Sequence, residues 1–153
     1  MRHIVAKYDR LSRWLSSKLP ESIMLIFVRI ALGGVFWFSG RSKVEEGSLF
    51  TISENTLYQF ADEPFNHVPI LSADLAAYLA FYAEHLFPIL LLLGLFTRAS
   101  ALALLGMTLV IQIFVFPEAW WQVHIIWVSL ALVLITRGAG LFSFDHMLSR
   151  RRP

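Results

Sequence analysis

The fold is decided by the stretch ADLAAYLAFYAEHLFPILLLLGLF, residues 73–96, which is apolar along most of its length. At about 1.5 Å per residue, a helix of this length crosses the hydrocarbon layer of a bilayer, which is roughly 30 Å thick. Three further apolar runs, at residues 22–39, 99–116 and 120–136, are also long enough to nearly or fully span this layer. The sequence therefore predicts an all-α fold, a polytopic membrane four-helix bundle in which residues 1–153 form a single membrane domain.

The composition also favours a lipid environment. Of the 153 residues, 57% are hydrophobic and only 16% are charged, which is more apolar than an ordinary soluble domain of this length. The chain has no cysteine, which excludes thiol nucleophiles, thiolate metal sites and persulfide chemistry on this chain. The net charge of +2 is small, and the basic residues flank the apolar runs, so no nucleic-acid partner is expected.

The distribution of lysine and arginine predicts the orientation of the chain in the membrane. Only Arg41 and Lys43 lie on one side of the four runs, against ten basic residues on the other side. Basic side chains concentrate on the cytoplasmic side of membrane proteins. We therefore expect a multi-pass protein of the plasma (inner) membrane with cytoplasmic N and C termini. The ten residues are Arg2, Lys7, Arg10, Arg13, Lys18, Arg98, Arg137, Arg150, Arg151 and Arg152.

The segments outside the four runs have separate expected roles. Residues 1–20 repeat apolar side chains at helical spacing among basic ones, which predicts an amphipathic helix in the cytoplasmic interface; a disordered basic arm is the alternative. The connection 40–72 is expected to form an ordered outer loop in which Ser53 caps a short helix. This loop is either a lid over the bundle or a surface loop without a ligand. Residues 137–153 are expected to form a basic cytoplasmic tail.

Arg29 and Glu84 are the two charged residues near the middle of the predicted spans. Each lies about ten residues from the outer end of its span, which places both at a depth of about 15 Å. A charge at that depth is costly unless it is paired, so the sequence predicts a buried ion pair between these two side chains. The pair either only fixes the helix register, or Glu84 or its neighbour His85 handles a proton or anchors a ligand.

A second polar layer is expected nearer the outer surface. Gln112 and His124 each lie four residues from the outer end of a span, about 6 Å below the interface. Aromatic walls with a few hydrogen-bonding groups would suit a quinone head, although tryptophan and tyrosine also collect at membrane interfaces without a ligand. No spacing of histidine and acidic residues matches a metal motif, so no metal site is predicted. The aromatic residues expected near this layer are Trp37, Tyr78, Tyr82, Trp120 and Trp121.

Several short patterns together resemble the DoxX family of small four-helix integral membrane proteins. The resemblance covers residues 22–145 and implies a four-helix membrane bundle that associates with redox complexes. Some relatives are subunits of a thiosulfate:quinone oxidoreductase, and others are proposed to link sulfur-transfer and superoxide-removing proteins at the membrane. More distant relatives include an assembly chaperone for neurotransmitter receptors. The patterns are Arg29 and Gly33 in the first span, GRSK at 40–43, Glu84 in the second span, LGLFTR at 93–98 and LFSFD at 141–145. The residues carried over by position are Arg29, Gly40, Lys43, Glu84 and Arg98.

Three functions are compatible with these features. The preferred one is an accessory or quinone-interacting membrane subunit of a redox, oxidoreductase-associated system, with a quinone as the candidate cofactor and redox proteins or further copies of the chain as partners. The alternative is a noncatalytic membrane scaffold or assembly factor, and the third is a small-solute transporter that works as an oligomer. No catalytic motif is recognised, so the chain is not expected to be an enzyme on its own.

Overall fold

The computed structural model describes residues 2–69 and 71–150, without the side chains of residues 2–4. Three of the expected segments include residues outside these ranges. They are residue 1 in the segment 1–20, residue 70 in the segment 40–72 and residues 151–153 in the segment 137–153. Over the described ranges the chain forms seven α-helices and no strand beyond an isolated bridge between Val44 and Ile52. The helices are α1 (Arg2–Leu15), α2 (Lys18–Arg41), α3 (Glu54–Ala61), α4 (Ala73–Leu93), α5 (Thr97–Val110), α6 (Ile125–Arg137) and α7 (Phe144–Ser149).

Within the part of the chain that the structure describes, four helical segments are long and apolar enough to cross a membrane. Two of them are α2 and α4, and the other two extend α5 and α6 by irregular turns. A π-helical turn, Ile111–Val115, continues α5, and a 3-10 turn with a second π-helical turn, Trp120–His124, precedes α6. The predicted all-α, polytopic fold is therefore confirmed. The two π-helical turns were not predicted.

The four long segments form a closed bundle in which each helix packs against two others. α2 contacts α4 and α6, and α5 contacts the same two helices. We call the end with the 42–72 loop the loop end, and the end with α1, the α4–α5 turn and the C-terminal tail the terminal end. The buried side chains between the helices are Leu25, Leu32, Phe36, Leu91, Ala101, Leu104, Ala131 and Leu134.

α2 and α4 are antiparallel but strongly offset along their axes. A methyl group placed on Gly40, near the end of α2, would lie 3.1 Å from Cβ of Glu84. Further along, a methyl group on Gly33 would lie 3.5 Å from the carbonyl oxygen of Pro88. Since Glu84 is in the middle of α4, the first turns of that helix, residues 73–81, extend beyond the end of α2.

The 42–72 loop packs against this protruding part of α4. The Ser53 side chain accepts a hydrogen bond from the Thr56 amide and begins α3, as expected from the sequence. Phe60 of α3 packs with Ala76 and Ala77 of α4 in a second buried cluster. The loop is thus held by an apolar contact as well as by its own hydrogen bonds.

The C-terminal tail folds back onto the bundle through its described part. The Leu141 amide donates a hydrogen bond of 2.9 Å to the Ser22 hydroxyl at the start of α2. The carboxylate of Asp145 accepts from the amides of Phe96 and Thr97, at 2.8 and 2.9 Å, and so caps the N-terminus of α5. The expected basic tail is therefore partly a structural element, and α7 within it was not predicted.

Candidate functional site

Arg29 of α2 is buried, with only 4% of its surface exposed. Its Nη2 donates a hydrogen bond of 2.9 Å to the backbone carbonyl of Phe142 in the tail. Its Nη1 lies directly against Gly94, at the C-terminal end of α4. The Nε and Nη1 atoms have no hydrogen-bond partner among residues 2–69 and 71–150. The predicted ion pair between Arg29 and Glu84 is therefore wrong.

Glu84 pairs instead with Lys43, which follows α2. The Lys43 Nζ lies 2.7 Å from Glu84 Oε2, and the Ser39 hydroxyl donates to Glu84 Oε1 at 3.2 Å. Lys43 Nζ also lies 3.0 Å from the Ser39 hydroxyl oxygen. Both charged side chains are largely removed from solvent, with 12% and 4% of their surfaces exposed. We call Ser39, Lys43, Glu84 and His85 the loop-end cluster.

The offset between α2 and α4 explains why the predicted pair does not form. Arg29 lies beside Gly94, whereas Glu84 lies ten residues earlier on α4. At about 1.5 Å per residue, ten residues separate the two charges by roughly 15 Å along the helix axis. The predicted depths were counted from the outer ends of the two spans, on the assumption that these ends lie at the same level. The turns of α4 that extend beyond the end of α2 make this assumption wrong.

Gly40 makes the close contact that holds the loop-end cluster together. A methyl group at this position would lie 3.0 Å from the ring of His85 and 3.1 Å from both Cβ and the backbone oxygen of Glu84. A side chain here would push α2 away from α4. The missing side chain thus brings Lys43 within reach of Glu84.

His85 is buried within the cluster and has one free ring nitrogen. Its Nδ1 lies 2.7 Å from the carbonyl oxygen of Phe81. Because a carbonyl only accepts, Nδ1 carries the proton, and in the neutral ring Nε2 keeps a lone pair. No described residue lies within hydrogen-bonding distance of that Nε2. Trp37, Phe50 and Phe81 surround the ring, with centroid distances of 5.4, 5.8 and 4.7 Å.

An apolar cleft of about 220 Å³ lies between α2 and α4, beside Arg29. Its outer rim includes Ile30, Ile89 and Leu92, whose side chains are substantially exposed, so the cleft opens on the outer surface of the bundle. Trp37 lines it and connects it to the ring of His85. Sites for drug-sized molecules measure roughly 300–1,000 Å³, so this cleft suits a single ring or part of an acyl chain. We call it the arginine cleft; its walls are Arg29, Ile30, Gly33, Gly34, Trp37, Pro88, Ile89 and Leu92.

The structure brings Gln112 and His124 together near the loop end. The Gln112 amide nitrogen donates to the carbonyl of Pro117 at 2.7 Å, which leaves its oxygen to accept from His124 Nδ1 at 2.6 Å. The π-helical turns carry both residues. The hydrogen bonds of Gln112 are thus made within the protein.

The aromatic residues expected around Gln112 and His124 do not form one wall. Trp121 is 78% exposed, and Tyr82 stacks on Tyr78 with its ring largely outside the core. The ring that contacts His124 belongs to Trp127, at a centroid distance of 5.0 Å. Trp127 was missed, although its spacing of three residues from His124 on a helix indicates a shared face.

The comparison with known proteins identifies the family. The DoxX family model matches residues 24–117. The chain belongs to the DoxX family. An uncharacterized protein of Haemophilus influenzae (strain ATCC 51907 / DSM 11121 / KW20 / Rd) is 31% identical over 150 residues, covering 88% of this chain and 89% of the relative. No solved structure matches.

The DoxX pattern positions fall into two groups in the structure. Gly40, Lys43 and Glu84 meet in the loop-end cluster. Arg29 and Arg98 lie towards the terminal end, where Arg98 donates to the carbonyl of Thr136 at the end of α6. The 93–98 and 141–145 patterns contact each other through the Asp145 cap. Widely spaced patterns of this DoxX chain thus become direct contacts.

Proposed function

We propose that this chain is an accessory, quinone-binding membrane subunit of a redox system in the plasma (inner) membrane, with both termini in the cytoplasm. The observation that carries the proposal is the buried guanidinium of Arg29 beside the arginine cleft, with two nitrogens that no described residue satisfies. A redox protein partner supplies or receives the electrons. The chain itself has no cysteine with which to carry them.

The chemistry of the cleft matches a quinone head. Its walls are almost entirely apolar, and Trp37 offers an aromatic surface to a flat ring. A buried donor without an acceptor costs roughly 1–3 kcal/mol, and a quinone carbonyl would remove that cost by accepting from Arg29. Since the cleft opens between exposed apolar side chains, an isoprenoid tail could remain in the lipid.

We propose the quinone contact at Arg29 rather than at Gln112 and His124. The Gln112 side chain already donates to the Pro117 carbonyl and accepts from His124 Nδ1, so both of its polar atoms have a partner within the protein. Arg29 has unused donors, and the arginine cleft lies beside it. The same ligand class is therefore proposed at a different place in the bundle.

Filling the cleft tests this proposal. A methyl group on Gly34 would have no atom of the described residues within 4 Å, so Gly34→Leu should place its side chain in the cleft without disturbing the backbone. We expect Gly34→Leu to reduce the quinone retained after mild purification by roughly tenfold, corresponding to about 1.4 kcal/mol. Quinone in the lipid extract is measured by mass spectrometry, together with the shift in unfolding temperature on adding a short-chain quinone.

Gly106→Leu is the matched control. Gly106 is also a helical glycine with open space around it, but it lies in α5 and outside the cleft. Gly106→Leu should retain quinone as the unchanged protein does. The proposal fails if the unchanged protein carries no quinone and shows no quinone-dependent shift, if Gly34→Leu retains as much quinone as Gly106→Leu, or if only fatty acids occupy the cleft.

A noncatalytic scaffold or assembly factor is the second candidate function, and exposed apolar side chains of the 42–72 loop favour it. Leu49, Phe50 and Tyr58 are each more than half exposed although the loop is folded. Aromatic side chains are common anchors at protein interfaces, and exposed apolar patches mark interaction sites. Partner proteins recovered by mild crosslinking should therefore be lost from the variant Leu49→Ser/Tyr58→Ser.

The control for the scaffold test is Gln59→Ser/Asn66→Ser, which changes exposed polar residues in the same loop. This variant should recover the same partners as the unchanged protein. Equal partner recovery from both double variants would exclude these loop side chains as the docking surface.

A further inference from the structure

A second cavity lies at the terminal end and is separate from the arginine cleft. It has a volume of about 660 Å³ and is bounded by the start of α2, the start of α5, the end of α6 and the tail. That volume falls in the range of small-molecule sites. The side chains important for its chemistry are Lys18, Glu21, Thr97, Arg98, Arg137 and Asp145.

The charges around this cavity leave an excess of positive groups. Glu21 pairs with Arg137 at 3.2 Å, and both carboxylate oxygens of Asp145 accept backbone amides at the start of α5. Lys18 forms no ion pair within residues 2–69 and 71–150, and Arg98 makes its one hydrogen bond there to a neutral carbonyl. Both carboxylates therefore already have partners, whereas the cationic groups of Lys18 and Arg98 have no anionic partner among the described residues.

A buried hydroxyl without a partner points to the same kind of ligand. Thr97 lines the cavity and is fully buried, and no described group lies within hydrogen-bonding distance of its Oγ1. A hydroxyl and two cations are a set of groups that phosphate oxygens satisfy.

We infer that this cavity binds a phosphate group, carried either by an anionic phospholipid headgroup or by a free phosphate. Basic pockets at the ends of membrane helices are suited to lipid phosphates. The groups that hold the phosphate are Lys18, Thr97 and Arg98. This site does not depend on the proposed quinone function, because it shares neither residues nor cavity with the arginine cleft.

Binding is measured on the full chain by native mass spectrometry and by the shift in unfolding temperature. Three additions distinguish the sources of phosphate: phosphatidylglycerol, phosphatidylcholine with inorganic phosphate, and phosphatidylcholine alone. Phosphatidylglycerol binding above the phosphatidylcholine level supports a lipid headgroup, and an effect of inorganic phosphate supports a free phosphate. A protein that responds to neither phosphatidylglycerol nor inorganic phosphate overturns the inference.

Thr97→Val separates binding from folding. Valine has nearly the same shape, and the hydroxyl it removes makes no described hydrogen bond, so the fold should remain as stable. Phosphate-group binding should weaken roughly fivefold. Lys18→Gln/Arg98→Gln should weaken it by roughly tenfold or more, because it removes both cations.

Lys7→Gln/Arg10→Gln is the matched control for the double variant. It removes the same charge from the exposed surface of α1, outside the cavity. This variant should bind almost as the unchanged protein does. If it loses as much binding as Lys18→Gln/Arg98→Gln, or if Thr97→Val binds at full strength, the anions bind to the basic surface and the cavity site is wrong.

Discussion

Lys43→Met is expected to lower the free energy of unfolding by about 3–5 kcal/mol, because it leaves the Glu84 carboxylate buried without its cation. Glu84 is only 3% exposed, and the ammonium of Lys43 lies 2.7 Å from Oε2. After the change, Ser39 provides the only remaining described hydrogen bond to this carboxylate. One such bond does not replace the solvation that the charge loses on burial.

A double-mutant cycle isolates the contribution of this pair. Glu84→Gln combined with Lys43→Met should be less destabilised than Lys43→Met alone, because the buried charge is then absent. Unfolding is followed by loss of helix on titration with a denaturing detergent in mixed micelles.

Arg137→Met serves as a reference for an exposed ion pair. Arg137 pairs with Glu21 at 3.2 Å, but 66% of the arginine side chain is exposed. Breaking such a pair should cost only about 0–1 kcal/mol. If Lys43→Met loses no more stability than Arg137→Met, Lys43 and Glu84 do not form a buried ion pair.

The four membrane segments were predictable because the bilayer imposes a length and a polarity that the sequence shows directly. The Ser53 cap also predicted the start of α3. Ser53 and Ser72 accept amide hydrogen bonds at the starts of α3 and α4, and Gly94 ends α4 in the left-handed conformation. Each of these signals acts within a few residues, so one sequence suffices to detect it.

The offset of α4 against α2 was not predictable from local signals, and the predicted Arg29–Glu84 pair failed for that reason. A connection of some thirty residues lets the second helix begin at any level relative to the first. Gln112 and His124, which counting placed at one depth, do lie in contact, because only a short turn joins their helices. Counting residues from the ends of two helices therefore predicts their relative depths reliably when a tight turn joins the helices, and unreliably when a long loop joins them.

The C-terminal tail was the other segment whose position in the fold could not be predicted from the sequence. LFSFD at 141–145 was noticed as a pattern, but the partners of Asp145 are 48 and 49 residues away in the chain. Arg29 donates to the carbonyl of Phe142, and a backbone acceptor leaves no side-chain signal in the sequence. The groups that surround the arginine cleft could therefore be identified only from the folded structure.

Gly94→Ala should also be strongly destabilising, because it disturbs both the C-terminal end of α4 and the packing of the Arg29 side chain. Gly94 has φ +64°, a conformation that costs an L-residue about 1–2 kcal/mol. Its new methyl group would also overlap Nη1 of Arg29 and press on Ser143. Overpacking of this kind adds about 1–3 kcal/mol, so the total loss should be roughly 2–5 kcal/mol.

Gly47→Ala separates the two parts of that loss. Gly47 has φ +80°, but no described atom lies within 4 Å of the added methyl group, so this variant experiences the backbone strain alone. Gly94→Ala should therefore unfold at a lower concentration of denaturing detergent than Gly47→Ala, and the difference measures the contact with Arg29 and the tail. Because Arg29 lines the arginine cleft, Gly94→Ala should also lose retained quinone while Gly47→Ala keeps it. Equal stability of the two variants would mean that the tail does not hold Arg29 against the α4–α5 turn.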